Sequence, residues 1–276
     1  MNGTILPGIS NLQYSTCSYF FNNATYSGIH VFTTTSKQSI APIVYTTRVP
    51  LADMSPAAIQ ASKVIAKVNG GFFDFNTSTF YGLFYQGENL PIYVNGVAYQ
   101  NVNSIPTSSY LFVDRYWSTL CVKNDGSATI RWFSNNADLS EELEDTTYTF
   151  SGAQTLVFNR KCVYSENVYD QNGILIYNRN SPGTNDHFNP NYPTVGHYRT
   201  LIGHLYTGNY IFVATDCYMP VDVAAYFMQD IGCDYALNMD GSLSSEMRIK
   251  DGYGASGRVT GHEGRILNTA VCAYIK

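Results

Sequence analysis

The stretch Tyr235-Ala-Leu-Asn-Met-Asp-Gly-Ser-Leu-Ser-Ser-Glu-Met247 decides how this chain is read. A short apolar run ends in Asn238 and Asp240, and Gly, small hydroxyl residues and Glu246 follow at once. That punctuation marks a buried strand that hands polar side chains to a loop at its carboxyl end. A carboxylate placed there, beside hydroxyls and backbone N–H groups, suits acid–base or ligand-binding work. Asp240-Gly241 suits a plain hairpin turn equally well, so the stretch alone leaves both readings open.

The flanking sequence extends the pattern. An apolar strand over residues 210–215 ends in Asp216, and a helix follows over about 221–231. Val223, Ala224, Phe227, Met228 and Ile231 form its buried stripe, and Gly232 stops it. A strand, a helix and a second strand in succession predict a right-handed crossover with parallel strands. Asp216 and Asp240 would then converge from neighbouring strands on one crevice. Lys67-Val-Asn-Gly-Gly-Phe-Phe-Asp74 repeats the design of an apolar approach, a Gly pair and an acid. Ser55-Pro56 reads as a helix start, with Ala57, Ala58, Ala61, Val64 and Ile65 on one face. From 81 to 131 the chain reads as hairpins, with strands at 111–114 and 128–133 about an Asn124-Asp-Gly turn. Further strands are expected over 156–164 and 173–177. The acidic run at 138–145 reads as a solvated helix or loop, and residues 178–194 as a long surface loop. The resulting expectation is a single α+β domain over 40–276. It has a mixed, partly parallel sheet with packed helices and antiparallel hairpins. Residues 1–39 form an N-terminal extension of edge strands or an arm that holds an assembly partner.

Composition narrows the function. Charged residues make up 13% of the 276, with a net charge of −5. Nucleic-acid binding needs a basic face and is excluded. The 23 Tyr and 15 Phe suit a β-rich protein, and they also suit stacking on sugar rings. Six scattered cysteines form no C-x-x-C pair, so no zinc-site spacing is present. No apolar run reaches the roughly 20 residues of a membrane span, and no standard signal peptide opens the chain. Three locations stay open on that basis: cytosolic, virion-associated, or a mature secreted form.

Read together, the separated segments resemble the phosphodiester glycosidase family. That family's pattern runs Asn-Gly-Gly-Phe-Phe, then Arg-Thr-Ala-x-Gly, a strand ending in Asp, a helix ending in Leu-Gly, and Ala-Leu-Asn-Leu-Asp-Gly-Gly-Gly-Ser-Ser. Asn69-Gly-Gly-Phe-Phe73, Arg199-Thr-Leu-Ile-Gly203, Asp216, Ile231-Gly232 and 236–245 fall here in the same order. The chain departs from it where Tyr198 stands for Pro, Cys217 for Gly, and Ser242-Leu243 for two glycines.

The resemblance implies hydrolysis of a glycosyl phosphodiester in a glycan, a cell-wall polymer or a sugar nucleotide. Such chemistry needs a cation and N–H donors for the phosphate and one or two carboxylates on the sugar side. Arg199 is implied as the phosphate-binding cation, Asp240 as the catalytic carboxylate and Asp216 as the second acid. Asn69, Gly70, Gly71, His197, Asn238, Gly241, Ser244 and Ser245 are implied as substrate-binding. A hard cation such as calcium between Asp216 and Asp240 is left open. So is a catalytically lapsed relative of the same fold, serving as a glycan-binding or phage-particle protein.

Overall fold

The computed structural model describes residues 3–11, 13–74, 76–110, 117–169, 173, 175–177, 196–261 and 265–276. Over these residues the chain is mostly strand, with two α-helices, Asn136–Leu143 and Val221–Asp230. An eight-stranded sheet runs in the order Thr4–Asn11, Tyr14–Phe21, Ala24–Thr33, Tyr210–Thr215, Thr200–Leu205, Cys233–Asn238, Gln154–Phe158, Lys161–Cys162. A five-stranded sheet has the order Gly257–Gly261, Glu246–Ile249, Val64–Asn69, Ile266–Ile275, Gln38–Pro50. A six-stranded sheet spans Ala128–Arg131 through Val97–Tyr99, with Ser118–Lys123, Thr146–Gly152, Leu83–Tyr85 and Ile92–Val94 between.

Every strand pair among the described residues is antiparallel. The expected α+β class, with its mixed, partly parallel sheet and packed helices, is therefore corrected to a mostly β architecture. Tyr210–Thr215 shows why the pattern misleads. It is buried at every position, as a parallel strand would be. Here the cause is two cores on the two faces of an antiparallel sheet. Tyr210, Phe212 and Ala214 join the core shared with the other large sheets, whereas Ile211 and Val213 pack beneath Val221–Asp230. That helix does not connect neighbouring parallel strands. Tyr210–Thr215 and Cys233–Asn238 both flank Thr200–Leu205, each antiparallel to it. They run in one direction with a strand between them, so their carboxyl ends share one edge of the sheet.

Local chemistry accounts for the remaining differences. No α-helix follows Ser55-Pro56; a 3-10 turn forms at Ala61–Lys63, and Val64 and Ile65 open the strand Val64–Asn69. β-branched Val64, Ile65 and Val68 fit the pleat better than a helix face. The acidic run does form a helix, capped by the Asn135 side chain, which accepts from Asp138 N. It is not wholly solvated: Glu142 is buried between Lys123 at 2.6 Å and Arg131 at 2.9 Å. The expected strand at 111–114 and loop at 178–194 lie outside the described residues, as do His187 and His262; Leu175–Tyr177 pairs with Val168–Tyr169. Residues 4–33 extend the eight-stranded sheet through the pairing of Ala24–Thr33 with Tyr210–Thr215. No helix among the described residues is long and apolar enough to cross a membrane.

Candidate active site

The shared sheet edge gathers the polar residues. Arg199 precedes Thr200–Leu205, Asp216 follows Tyr210–Thr215, and Asp240 follows Cys233–Asn238 by two residues. A cavity of about 350 Å³ opens at this edge, lined by Phe72, Ala153, Gln154, His197, Arg199, Val221, Asn238, Asp240, Gly241 and Ser242. Its size suits a small polar ligand. Of the residues named from sequence, Arg199, His197, Asn238, Asp240 and Gly241 line it.

Asp240 sits where the large sheets meet. Its N–H donates to Gly70 O at 3.1 Å, and its carbonyl accepts from Asn69 Nδ2 at 2.7 Å. Asn69 ends a strand of the five-stranded sheet, so this bond ties that sheet to the loop of the eight-stranded one. Asn69 Oδ1 accepts from Thr200 Oγ1 at 2.5 Å and from Glu246 N at 3.0 Å. Its amide is thus engaged at both ends inside the protein, and the residue is fully buried. Burial raises the Asp240 carboxyl to about 6, against opposing pulls from the Ser244 hydroxyl, the Gly241 N–H and the Arg265 charge. At neutral pH the group is mostly ionised yet close to its titration point, the range that suits proton transfer.

Arg199 supplies the cation. Its Nε donates to Met219 O at 2.8 Å, and its backbone N–H donates to Thr215 Oγ1 at 2.9 Å. Burial lowers the guanidinium to about 10, while Tyr164 and Asp222 act the other way. It keeps its charge at neutral pH. Beside it, burial and then the Arg199 charge push the His197 imidazole below its usual range, favouring the uncharged ring. Asn238 is buried in the wall, its Nδ2 3.4 Å from Gln154 Oε1. Asn238 Oδ1 has no hydrogen-bond partner among the described residues.

Other residues named from sequence stand behind or beside the cavity. The Gly70 N–H donates to Thr269 O at 2.9 Å, and the Gly241 N–H donates to Asp240 Oδ1 at 2.9 Å. A Cβ on Gly70 would lie 2.5 Å from Thr269 Oγ1, and one on Gly71 2.9 Å from Ser151 O, so close packing requires both glycines. Ser244 and Ser245 are buried; Ser245 Oγ lies 3.2 Å from Thr200 Oγ1. Asp216 does not line the cavity. Its carboxylate binds His30 Nε2 at 2.8 Å and accepts from Thr260 Oγ1, while Tyr14 Oη is 2.7 Å from His30 Nδ1. Among the described residues no group of three or more His, Cys, Asp or Glu side chains is arranged to hold a metal.

Sequence reasoning gave no site role to Ala153, Gln154 or Val221, and it marked Ser242 only as a departure from the family pattern. Gln154 and Ala153 come from a distant strand, and no local pattern marks them. Ser242, next but one to Asp240, carried a signal in its position alone.

Comparison with known proteins bears on this arrangement. The family profile of phosphodiester glycosidases matches residues 62–274. The chain belongs to the phosphodiester glycosidase family. Comparison with curated proteins found no matching sequence. Among solved structures, the fold is similar to the catalytic domain of zebrafish N-acetylglucosamine-1-phosphodiester alpha-N-acetylglucosaminidase, auto-inhibited by its pro-peptide. The TM-score is 0.63 at 15% identity, over 100% of this chain and 89% of that one. It is also similar to a hypothetical protein from Synechocystis, with a TM-score of 0.56 at 12% identity, over 100% of this chain and 64% of that one. The family match covers the strand of Asn69, the segment of Arg199 and the loop of Asp240 alike, so the whole cavity edge lies within the phosphodiester glycosidase domain.

Proposed function

We propose that this chain hydrolyses a glycosyl phosphodiester in the 350 Å³ cavity, with water delivered to the anomeric carbon. The observation that carries the reading is that the Asp240 carboxyl and the buried Arg199 guanidinium line the same cavity. In this reading Arg199 takes the phosphate, where a fork of N–H donors matches two oxygens. Phosphate leaves without strong acid assistance, so the ionised form of Asp240 does the work, as base toward water or as nucleophile. Asn238 Oδ1, buried and without a partner among the described residues, offers an acceptor for a sugar hydroxyl. Asp216 acts from outside the cavity as a positioning residue, pinning the strand end that presents Thr215 Oγ1 to the Arg199 backbone. His197 and Gly241 complete the wall around Asp240, with the buried Ser244 and Ser245 behind it.

The test is turnover of sugar-1-phosphodiesters differing in sugar and leaving group, by wild type and Asp240→Asn. Release of free sugar by wild type and its loss in the variant support the reading. Saturable sugar binding by both proteins with no turnover by either would assign the cavity to a binding protein instead.

A further inference from the structure

Ser242 holds a backbone conformation that its side chain makes unfavourable. Its φ is +57°, the left-handed region where glycine is at ease and other L-residues are strained. Of the left-handed non-glycine residues among those described, most of them Asn, Ser242 alone lines the cavity. The loop fixes this conformation from both sides: Ser242 N donates to Tyr198 O at 2.9 Å, and Ser242 O accepts from Ser245 N at 3.2 Å. Gly241 cannot relieve the strain by carrying the side chain instead, because its Cβ would lie 2.7 Å from Tyr198 O.

The protein gains nothing visible from this hydroxyl. The residue is exposed, and its Oγ makes no hydrogen bond to a described residue. A strained residue whose side chain has no internal role, placed on a cavity wall, points to a role in the bound state. The position specifies which part of the ligand it meets. Tyr198, whose carbonyl holds the Ser242 N–H, lies between His197 and Arg199, and both of these line the cavity. Ser242 therefore joins the cavity lining next to the segment that carries His197 and Arg199, one residue beyond the loop N–H that engages Asp240.

We infer that Ser242 Oγ is a substrate-binding hydroxyl that donates to a non-bridging phosphate oxygen of the diester, cooperating with Arg199. This rests on the reading of the cavity as a phosphodiester glycosidase site. It adds a donor that selects for the phosphodiester over an uncharged glycoside.

Two variants separate the hydroxyl from the backbone. Ser242→Gly removes the hydroxyl and the strain; Ser242→Ala removes the hydroxyl and keeps the strain. Binding of inorganic phosphate and of a methyl glycosyl phosphodiester is measured by titration calorimetry, and melting midpoints are recorded alongside. Both variants should bind both ligands about tenfold or more weakly, as loss of a hydrogen bond to a charged group requires. Ser242→Gly should melt at or above wild type, so weaker binding cannot be ascribed to a damaged fold. Phosphate affinity within twofold of wild type in both variants overturns the inference, as does an absence of saturable phosphate binding by wild type. Asp240→Asn is the control. If it abolishes turnover while the Ser242 variants bind normally, the site reading stands and only the Ser242 role fails. If it leaves turnover intact, the site reading itself fails.

Discussion

Replacing Asp240 by Asn should stabilise the fold at neutral pH as it abolishes turnover. Burial raises this carboxyl from its ordinary 3.8 to about 6. Each tenfold change in acidity corresponds to about 1.4 kcal/mol, so keeping the buried charge above pH 6 costs the folded state about 3 kcal/mol. The sign follows from the direction. The folded state binds this proton more tightly than the unfolded chain, so the group's destabilising effect fades as pH falls from about 7 through 6 towards 4. Asn has nearly the same shape and carries no charge at any pH. Its stability should therefore lack this component, and the gap between the two proteins should vary with pH. About 2.4 kcal/mol of this falls between pH 4 and pH 7.5, so at roughly 2–4 °C per kcal/mol for a chain near this size the gap should widen by about 5–10 °C over that interval. About half of that change should be present at pH 5. Thermal melts of both proteins across pH 4–8 supply the measurement, and the difference between them cancels the other titrating groups. A gap that stays constant across this range, or one that narrows as pH rises, would refute the argument that the cavity wall holds Asp240 as a costly charge.

Other outcomes follow from the same geometry. The rate of hydrolysis under kcat/KM conditions should climb with pH through about 6 as Asp240 ionises, and a pH profile that falls across that interval would reverse its role. Arg199→Lys should lower kcat/KM by about a hundredfold or more, because a point charge can neither replace the fork nor keep the 2.8 Å bond to Met219 O. Asn69→Ala should cost about 2–4 kcal/mol by chemical denaturation, since it strands the Asp240 carbonyl and the Glu246 N–H in the interior. Phe227→Ala should cost about 3–5 kcal/mol, because its fully buried ring fills the core between helix and sheet; turnover per folded molecule should not change.

The sequence made the site's edge legible because the relevant residues are local. Asn238 and Asp240 close one strand, Arg199 opens another, and apolar runs with abrupt polar ends mark both. It misassigned the sheet because the apolar run at 210–215 records burial on two faces and not strand direction. Antiparallel packing between two cores and a parallel sheet between helices leave the same trace. The roles of Asn69 and Gly70 were half visible. Their place at the site could be read, but their bonds run to Thr200, Glu246 and Thr269, which only the folded arrangement brings near. Asp216 could be placed at the correct edge, while its partner His30 lies in the N-terminal strands and no spacing rule links them. Gln154 reaches the cavity from elsewhere in the chain, and nothing beside it in sequence marks it; Arg265 stood only in the closing segment of the family pattern, with nothing to link it to Asp240.

The central claim is that the bond broken lies between the sugar and the phosphate oxygen. Hydrolysis of a sugar-1-phosphodiester in ¹⁸O-labelled water tests it directly. The account predicts label on the anomeric hydroxyl of the released sugar and an unlabelled phosphomonoester, with neither product formed by Asp240→Asn. Label in the phosphate would make the enzyme a phosphodiesterase acting on phosphorus and would contradict the account.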